Sequence, residues 1–135
     1  MIIGKLKYNE DLLEGLTRVA KEKDIKEGAI FVIGALKKAR LGYYEQKEKF
    51  YKEIDLPYPQ EIISGVGNIS LKNGEIFIHL HLALSDEEGN LKGGHLIKGC
   101  EVFACEYTIF PSEGLNLIRQ YDETTGLFLI EGQDE

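Results

Sequence analysis

The residues best suited to chemistry are the three histidines, which are the only histidines of the chain. His79 and His81 stand two positions apart in the alternating run IFIHLHLAL, and His95 follows the pair Gly93-Gly94. Because alternate residues of a strand point to the same face, His79 and His81 should lie side by side. Neutral imidazole nitrogens suit zinc, and three protein ligands plus a water are typical of an open zinc site.

The two glycines decide whether the third histidine can join the pair. Gly93 and Gly94 allow positive φ and close backbone approach, so they can bring His95 against the strand that holds the other two. We therefore predict that His79, His81 and His95 bind zinc or another divalent metal ion. The alternative is that the three histidines lie on a half-exposed strand and its neighbour without a metal.

The elements that must position these residues are mostly strands. Apolar residues alternate with the histidines and predict a core face: Ile76, Ile78, Leu80, Leu82 and Leu84. The dipeptide Asn73-Gly74 between two alternating runs is typical of a two-residue hairpin turn. The histidine strand is therefore predicted to be the return strand of a hairpin whose first strand covers Glu61 to Leu71.

The rest of the chain predicts one helix and further strands. Apolar residues at helical spacing follow Asn9, a favourable N-cap, and predict a helix that ends near Lys23 or Asp24. The runs Ala29–Leu36 and Lys38–Gln46 predict two separate strands. About seven or eight strands with one main helix indicate an α+β fold on an antiparallel or mixed sheet, in a single domain over residues 1–135.

Composition limits the classes of function. The chain has 135 residues, a formal net charge of −7 and no apolar run long enough to span a membrane. Its first residues lack the features of a signal peptide, so we expect a cytoplasmic protein. Cys100 and Cys105 lie in an apolar stretch and are expected to be buried free thiols.

Two further groups of charged residues are candidates for function. Glu61 and Glu106 each interrupt an apolar strand, where burial would raise the pKa of a carboxyl and suit it to shuttle protons; the alternative is a structural glutamate. Lys37, Lys38 and Arg40 form a basic cluster with no acidic residue near them in the sequence, and they are the DNA-contact candidates.

Several motifs in this order resemble the plants-and-prokaryotes conserved (PPC or PCC) domain, in its prokaryotic stand-alone type. They are the run EIISGVGN from Glu61, the H-L-H of the histidine strand, G-G-H-L-x-x-G from Gly93, and Glu106. The resemblance implies a compact α+β domain that assembles as a homotrimer, with a fold similar to that of acetolactate decarboxylase. That enzyme holds zinc through three histidines, and the likeness implies that role for His79, His81 and His95.

The resemblance also implies a partner, since prokaryotic members are commonly described as predicted DNA-binding proteins. Plant members carry AT-hook segments, but this chain has three isolated arginines and no such motif. With its negative charge, we expect weak binding to duplex DNA at best. An alternative function is a small metal-dependent lyase or hydrolase, acting on a small acid or ester bound at the metal. A third is a trimeric scaffold whose metal is structural.

Overall fold

The computed structural model describes residues 1–131, and positions 132–135 lie outside the described residues. This part of the chain holds one helix and nine strands, against one main helix and about seven or eight strands expected. In chain order the elements are β1 Ile2–Lys5, α1 Leu12–Glu22, β2 Gly28–Glu45, β3 Phe50–Leu56, β4 Gln60–Lys72, β5 Glu75–Ser85, β6 Leu91–Leu96, β7 Glu101–Pro111, β8 Ile118–Asp122 and β9 Leu127–Ile130.

The long strand β2 organises the sheet. It is one strand of 18 residues, where the sequence predicted two. Its first half pairs with β4 and β7, and its second half pairs with β3 and β6. Since β5 pairs with both β4 and β6, strands β2, β4, β5 and β6 form a closed circuit. The sheet is mixed, which is one of the two alternatives predicted, because β4 and β8 pair in parallel.

The hairpin that carries the histidines has the predicted turn. Lys72 pairs with Glu75, and the two residues between them, Asn73 and Gly74, have φ values of 52° and 77°. Two positive φ values in a row are the signature of a type I′ turn, which Asn-Gly favours. The register that follows buries the predicted core face of β5, where Ile78, Leu80, Leu82 and Leu84 are at most 3% exposed. His79 and His81 consequently point away from the core.

The helix begins later than predicted. Asp11, not Asn9, is the N-cap: its carboxylate accepts a hydrogen bond from the backbone N–H of Glu14 at 3.0 Å. The same carboxylate accepts from the backbone N–H groups of Gly99 and Cys100, at 2.8 and 3.1 Å. One side chain therefore fixes both the start of α1 and the turn that leaves β6. No helix within residues 1–131 is long and apolar enough to cross a membrane.

This contact predicts a stability effect. Asp11→Ala removes the helix cap and leaves two further N–H groups without their acceptor, so we expect the free energy of unfolding to fall by about 2 kcal/mol. Urea denaturation measures the change. The control is Glu87→Ala in the exposed loop before β6, which should stay within about 0.5 kcal/mol of wild type. An Asp11→Ala midpoint equal to that of the control would contradict the assignment.

The two faces of the sheet differ in what covers them. Helix α1 packs against β5 on the core side and buries Leu12, Leu16, Val19 and Ala20. On the opposite face, large apolar side chains of four strands are between 40 and 65% exposed. They are Ile3, Phe31, Ile33, Ile63, Val66, Phe103 and Phe110, which we call the outer apolar face.

Candidate metal centre

The three histidines meet on the outer side of β5 and β6. One ring nitrogen from each of His79, His81 and His95 lies within 4.8 Å of the others. The Nε2 atoms of His79 and His81 are 3.2 Å apart. Two ligands of a tetrahedral zinc ion with bonds of about 2.0–2.1 Å are separated by roughly 3.3 Å. The spacing of this pair therefore fits a shared metal ion.

Strand pairing and glycine bring the third histidine into place. His81 is the direct partner of His95 in the β5–β6 ladder. A Cβ atom on Gly93 would lie 2.6 Å from the Leu82 carbonyl oxygen, and one on Gly94 would lie 2.8 Å from that of Gly42. Both glycines are thus required for close backbone approach, as predicted. Neither has a positive φ, so conformational freedom is not the reason for them.

His95 has an unpaired buried nitrogen. Its Nδ1 atom is buried and has no hydrogen-bond partner among the described residues. Its ring stacks on Tyr51, with centroids 5.0 Å apart and an interplanar angle of 28°. Because a buried polar atom without a partner costs free energy, the cluster favours a bound ion or molecule that supplies the missing contact.

The surroundings of His79 and His95 keep both rings neutral. Burial, with added repulsion from the Arg119 guanidinium and His81, lowers the pKa of His79 to about 4. Burial, together with the neighbouring histidines and Arg119, also lowers the pKa of His95 to about 4. Both rings are therefore unprotonated near neutral pH, which is the form that binds a metal ion.

Arg119 on β8 belongs to the same site, and sequence reasoning missed it. The residue is only 6% exposed. It donates from Nε to Ser70 Oγ at 2.7 Å, from Nη1 to the Phe128 carbonyl at 3.0 Å and from Nη2 to Asn68 Oδ1 at 2.8 Å. Nη2 also lies 3.3 Å from His79 Nδ1. The available signal was an arginine inside the short apolar run LNLIRQY.

A cavity of about 740 Å³ opens in front of the histidines and Arg119. The β8–β9 hairpin is held across it, because Tyr44 donates to the Thr125 carbonyl at 2.6 Å and Lys49 to that of Glu123 at 3.3 Å. The volume is that of a site for a small molecule. The wall contains aromatic rings, basic groups and the histidines: Tyr43, Tyr44, Phe50, Tyr51, Phe77, Phe128, Lys49, Lys72, Arg119, His79, His81 and His95.

The two predicted proton shuttles do not reach this cavity. Glu61 and Glu106 are exposed in the isolated chain and are absent from the cavity wall, so within one chain neither has the burial that the sequence predicted. Each side chain points to the outer face because its neighbours on the strand point to the core. Glu106 on β7 is three strands away from β5, a distance of about 14 Å, which no glutamate side chain spans.

The basic cluster is not free of acidic neighbours, which corrects the sequence-based view. Lys37 and Lys38 lie 3.2 and 3.9 Å from the carboxylate of Glu101, across the β2–β7 ladder. Arg40 pairs with Asp55 at 3.2 Å and Glu53 at 3.8 Å, on β3. Strand pairing therefore supplies acids that are distant in the sequence.

The cysteines are buried free thiols, as predicted. Burial raises the pKa of Cys100 to about 11 and that of Cys105 to about 12. Because only the thiolate is a good metal ligand, neither cysteine competes with the histidine cluster.

Comparison with known sequences gives the family. The sequence model of the Plants and Prokaryotes Conserved (PCC) domain matches residues 1–113. The chain belongs to the PCC domain family. The matched residues include all three histidines, whereas Arg119 and the β8–β9 hairpin lie beyond them. The cavity is therefore built both by the region that matches the PCC domain and by the residues that follow it.

Solved structures with the PCC fold superpose closely. A metal-containing protein from Archaeoglobus fulgidus is 40% identical, with a TM-score of 0.91, and the match covers 97% of this chain and 92% of that one. A plant- and prokaryote-conserved protein from Pyrococcus horikoshii is 36% identical, with a TM-score of 0.93 over 99% and 92% of the two chains. A candidate DNA-binding protein from Bacteroides thetaiotaomicron is 26% identical, with a TM-score of 0.89 over 96% and 90%.

The curated relatives are longer proteins. The bifunctional protein GlmU of Synechococcus sp. (strain JA-3-3Ab) is 30% identical over 124 residues, which are 90% of this chain. The GlmU of a second Synechococcus strain, JA-2-3B'a(2-13), is 29% identical over 119 residues. The chain spans about a fifth of the length of these relatives, 19% and 18%.

Proposed function

We propose that this PCC-domain protein binds one divalent metal ion, zinc by the chemistry of its ligands, through His79, His81 and His95. The observation that carries the proposal is the convergence of three imidazoles, one with an unpaired buried nitrogen, on one wall of a cavity. The metal-containing relative from Archaeoglobus fulgidus supports it. Metal analysis of the purified protein tests it.

The donor set fits a zinc ion that keeps an open position. Three nitrogen ligands leave a fourth position for water or a ligand, as in catalytic rather than structural zinc sites. Bound there, zinc would supply Lewis acidity and lower the pKa of a bound water. The chain itself supplies the three histidine ligands, the Tyr51 ring that holds His95, and Arg119 beside His79.

A metal-dependent lyase or hydrolase is the second candidate function. The cavity favours it over a purely structural metal, since a scaffold needs no opening beside its ion. Turnover of a small acid or ester that stops on chelation and returns with zinc would support it.

The likeness to acetolactate decarboxylase stays a prediction, as does a single domain over residues 1–135.

We also propose that the protein assembles as a homotrimer through the outer apolar face. Cross-strand partners share a face of a sheet, and one row of partners runs along Ile3, Thr108, Phe31, Val66 and His81. Exposed apolar patches of this kind mark interaction sites. The row ends at the histidine cluster, so the metal centre lies at the border of the proposed interface.

DNA is expected to be a weak partner, although the relative from Bacteroides thetaiotaomicron is described as a candidate DNA-binding protein. The formal net charge of −7 repels a polyanion, and the ion pairs of Lys37, Lys38 and Arg40 reduce the charge available for phosphates. In anisotropy titrations near physiological salt, about 150 mM, we expect dissociation constants above about 1 μM. Sub-micromolar binding that disappears when all three residues are changed to Ala would restore the DNA-binding function.

A further inference from the structure

The cavity in front of the histidines has an unbalanced charge. Arg119, Lys72 and Lys49 all contribute to its wall, whereas no aspartate or glutamate of the described residues does. Within residues 1–131, no carboxylate lies within ion-pair distance of Arg119, although the other two arginines of the chain each pair with two. A buried guanidinium without a counterion is costly, so its position calls for an anion from outside.

The hydrogen bonds of Arg119 leave part of the guanidinium open. All its acceptors are neutral: a hydroxyl, a carbonyl, an amide oxygen and the Nδ1 atom of His79. A guanidinium has five N–H groups, and four contacts leave one of them, on Nη1, without an acceptor among the described residues. These contacts fix the side chain in one orientation before any ligand arrives.

Metal binding at His79 would free a second donor. Arg119 can donate to His79 Nδ1 only while that atom carries no proton, which places the ring proton on Nε2. The Nε2 atom is the one that faces His81. If His79 served as a ligand through Nε2, its ring proton would have to lie on Nδ1, and the Nη2–H of Arg119 would have no acceptor there.

The other residues of the cavity wall determine which kind of molecule can carry the negative group. Tyr44 and Tyr51 lie on one side, with ring centroids 5.0 Å apart. On the other side, Lys72 lies over the rings of Phe77 and Phe128, 5.1 and 4.3 Å from their centroids. Aromatic side chains favour a planar apolar body, which they contact edge-on or with offset stacking.

We propose that the cavity binds a small planar organic oxyanion, with its negative group between the metal centre and Arg119 and its body among the aromatic rings. This inference rests on the proposed metal site and names its ligand class. A carboxylate and a phosphate ester share the required chemistry, because both accept paired hydrogen bonds from a guanidinium.

Calorimetric titration of the zinc-loaded protein tests the proposal with four probes. Benzoate and phenyl phosphate supply the two oxyanions, benzamide is the neutral counterpart of benzoate, and acetate lacks the ring. We expect at least one of the two aromatic anions to bind at least about tenfold more tightly than benzamide and acetate. The tighter of the two anions identifies the head group. Equal affinity for benzoate, phenyl phosphate and benzamide, or no binding of any probe, would overturn the proposal.

Two arginine variants distinguish a specific role of Arg119 in anion binding from a general effect of positive charge. Arg119→Gln should weaken the tighter anion at least about tenfold, while Arg40→Gln, a matched arginine outside the cavity, should leave its affinity unchanged. An unchanged affinity in folded Arg119→Gln contradicts the proposal. If that variant fails to fold, two other measurements test the proposal. Both the Lys72→Gln substitution and added salt should weaken binding of the anions, and neither should weaken binding of benzamide.

Measuring the zinc content of the same samples distinguishes a failure of the oxyanion proposal from a failure of the metal proposal. Zinc-loaded protein that discriminates no anion refutes the oxyanion site alone. Protein that holds no zinc but still prefers the anion refutes the metal site alone. Chelated wild type should bind the anion more weakly than the zinc-loaded form, because the second Arg119 donor is then occupied by His79.

Discussion

His95→Ala should reduce the zinc affinity of the protein at least about tenfold and leave the fold intact. Loss of a residue that only supports a metal ligand costs roughly 10–100-fold, and loss of a ligand should cost no less. His95 is also the histidine with the unpaired buried nitrogen, so the substitution removes that cost from the apo protein. Wild type should hold about one zinc ion per chain after dialysis, measured by plasma mass spectrometry.

Two controls define the result. Glu75→Ala alters an exposed residue of the same strand β5 and should keep the wild-type zinc content. Chelation should lower the melting temperature of wild type, since a ligand at about 100 times its dissociation constant stabilises by about 2.7 kcal/mol, and it should lower that of His95→Ala by less, since a tenfold loss of affinity leaves about 1.4 kcal/mol. Equal zinc content in wild type and in His79→Ala, His81→Ala and His95→Ala would show that the histidines are incidental.

Patterns among neighbouring residues correctly predicted the β4–β5 hairpin and the burial of one face of β5, because a turn and strand alternation determine both. The Asn73-Gly74 turn sets the register of β4 and β5, and alternation then decides which side chains of β5 are buried. The helix start was misplaced because Asn9 and Asp11 are both good caps. Asp11 prevails through its contacts with Gly99 and Cys100, which are distant in sequence.

Residues that join the site through pairing of strands distant in the sequence could not be predicted from such local patterns. His79, His81 and His95 share one hairpin and its neighbouring strand, so spacing alone indicated them. Arg119 reaches them only because β8 pairs with the end of β4, through Leu71 with Ile118 and Lys72 with Arg119. Pairing across β2 likewise placed acids beside Lys37, Lys38 and Arg40, which the linear sequence shows as a free basic cluster.

Val66→Arg should convert the proposed trimer to monomers. Val66 is 51% exposed in the isolated chain and lies in the row of side chains between Phe31 and His81. In a ring of identical subunits, each copy contributes the same substitution, so every interface would bury an unpaired guanidinium. Light scattering at micromolar concentration should give about three times 15.2 kDa for wild type and 15.2 kDa for the variant.

Tyr58→Arg is the matched control for this prediction, because Tyr58 is an exposed aromatic residue in the turn between β3 and β4, away from the row. It should remain trimeric, and both variants should keep the wild-type circular dichroism spectrum. A monomeric wild type refutes the trimer, and a trimeric Val66→Arg places the interface elsewhere. Because Val66 is the direct cross-strand partner of His81, Val66→Arg should also weaken zinc binding by placing a cation beside that histidine, whereas Tyr58→Arg should not.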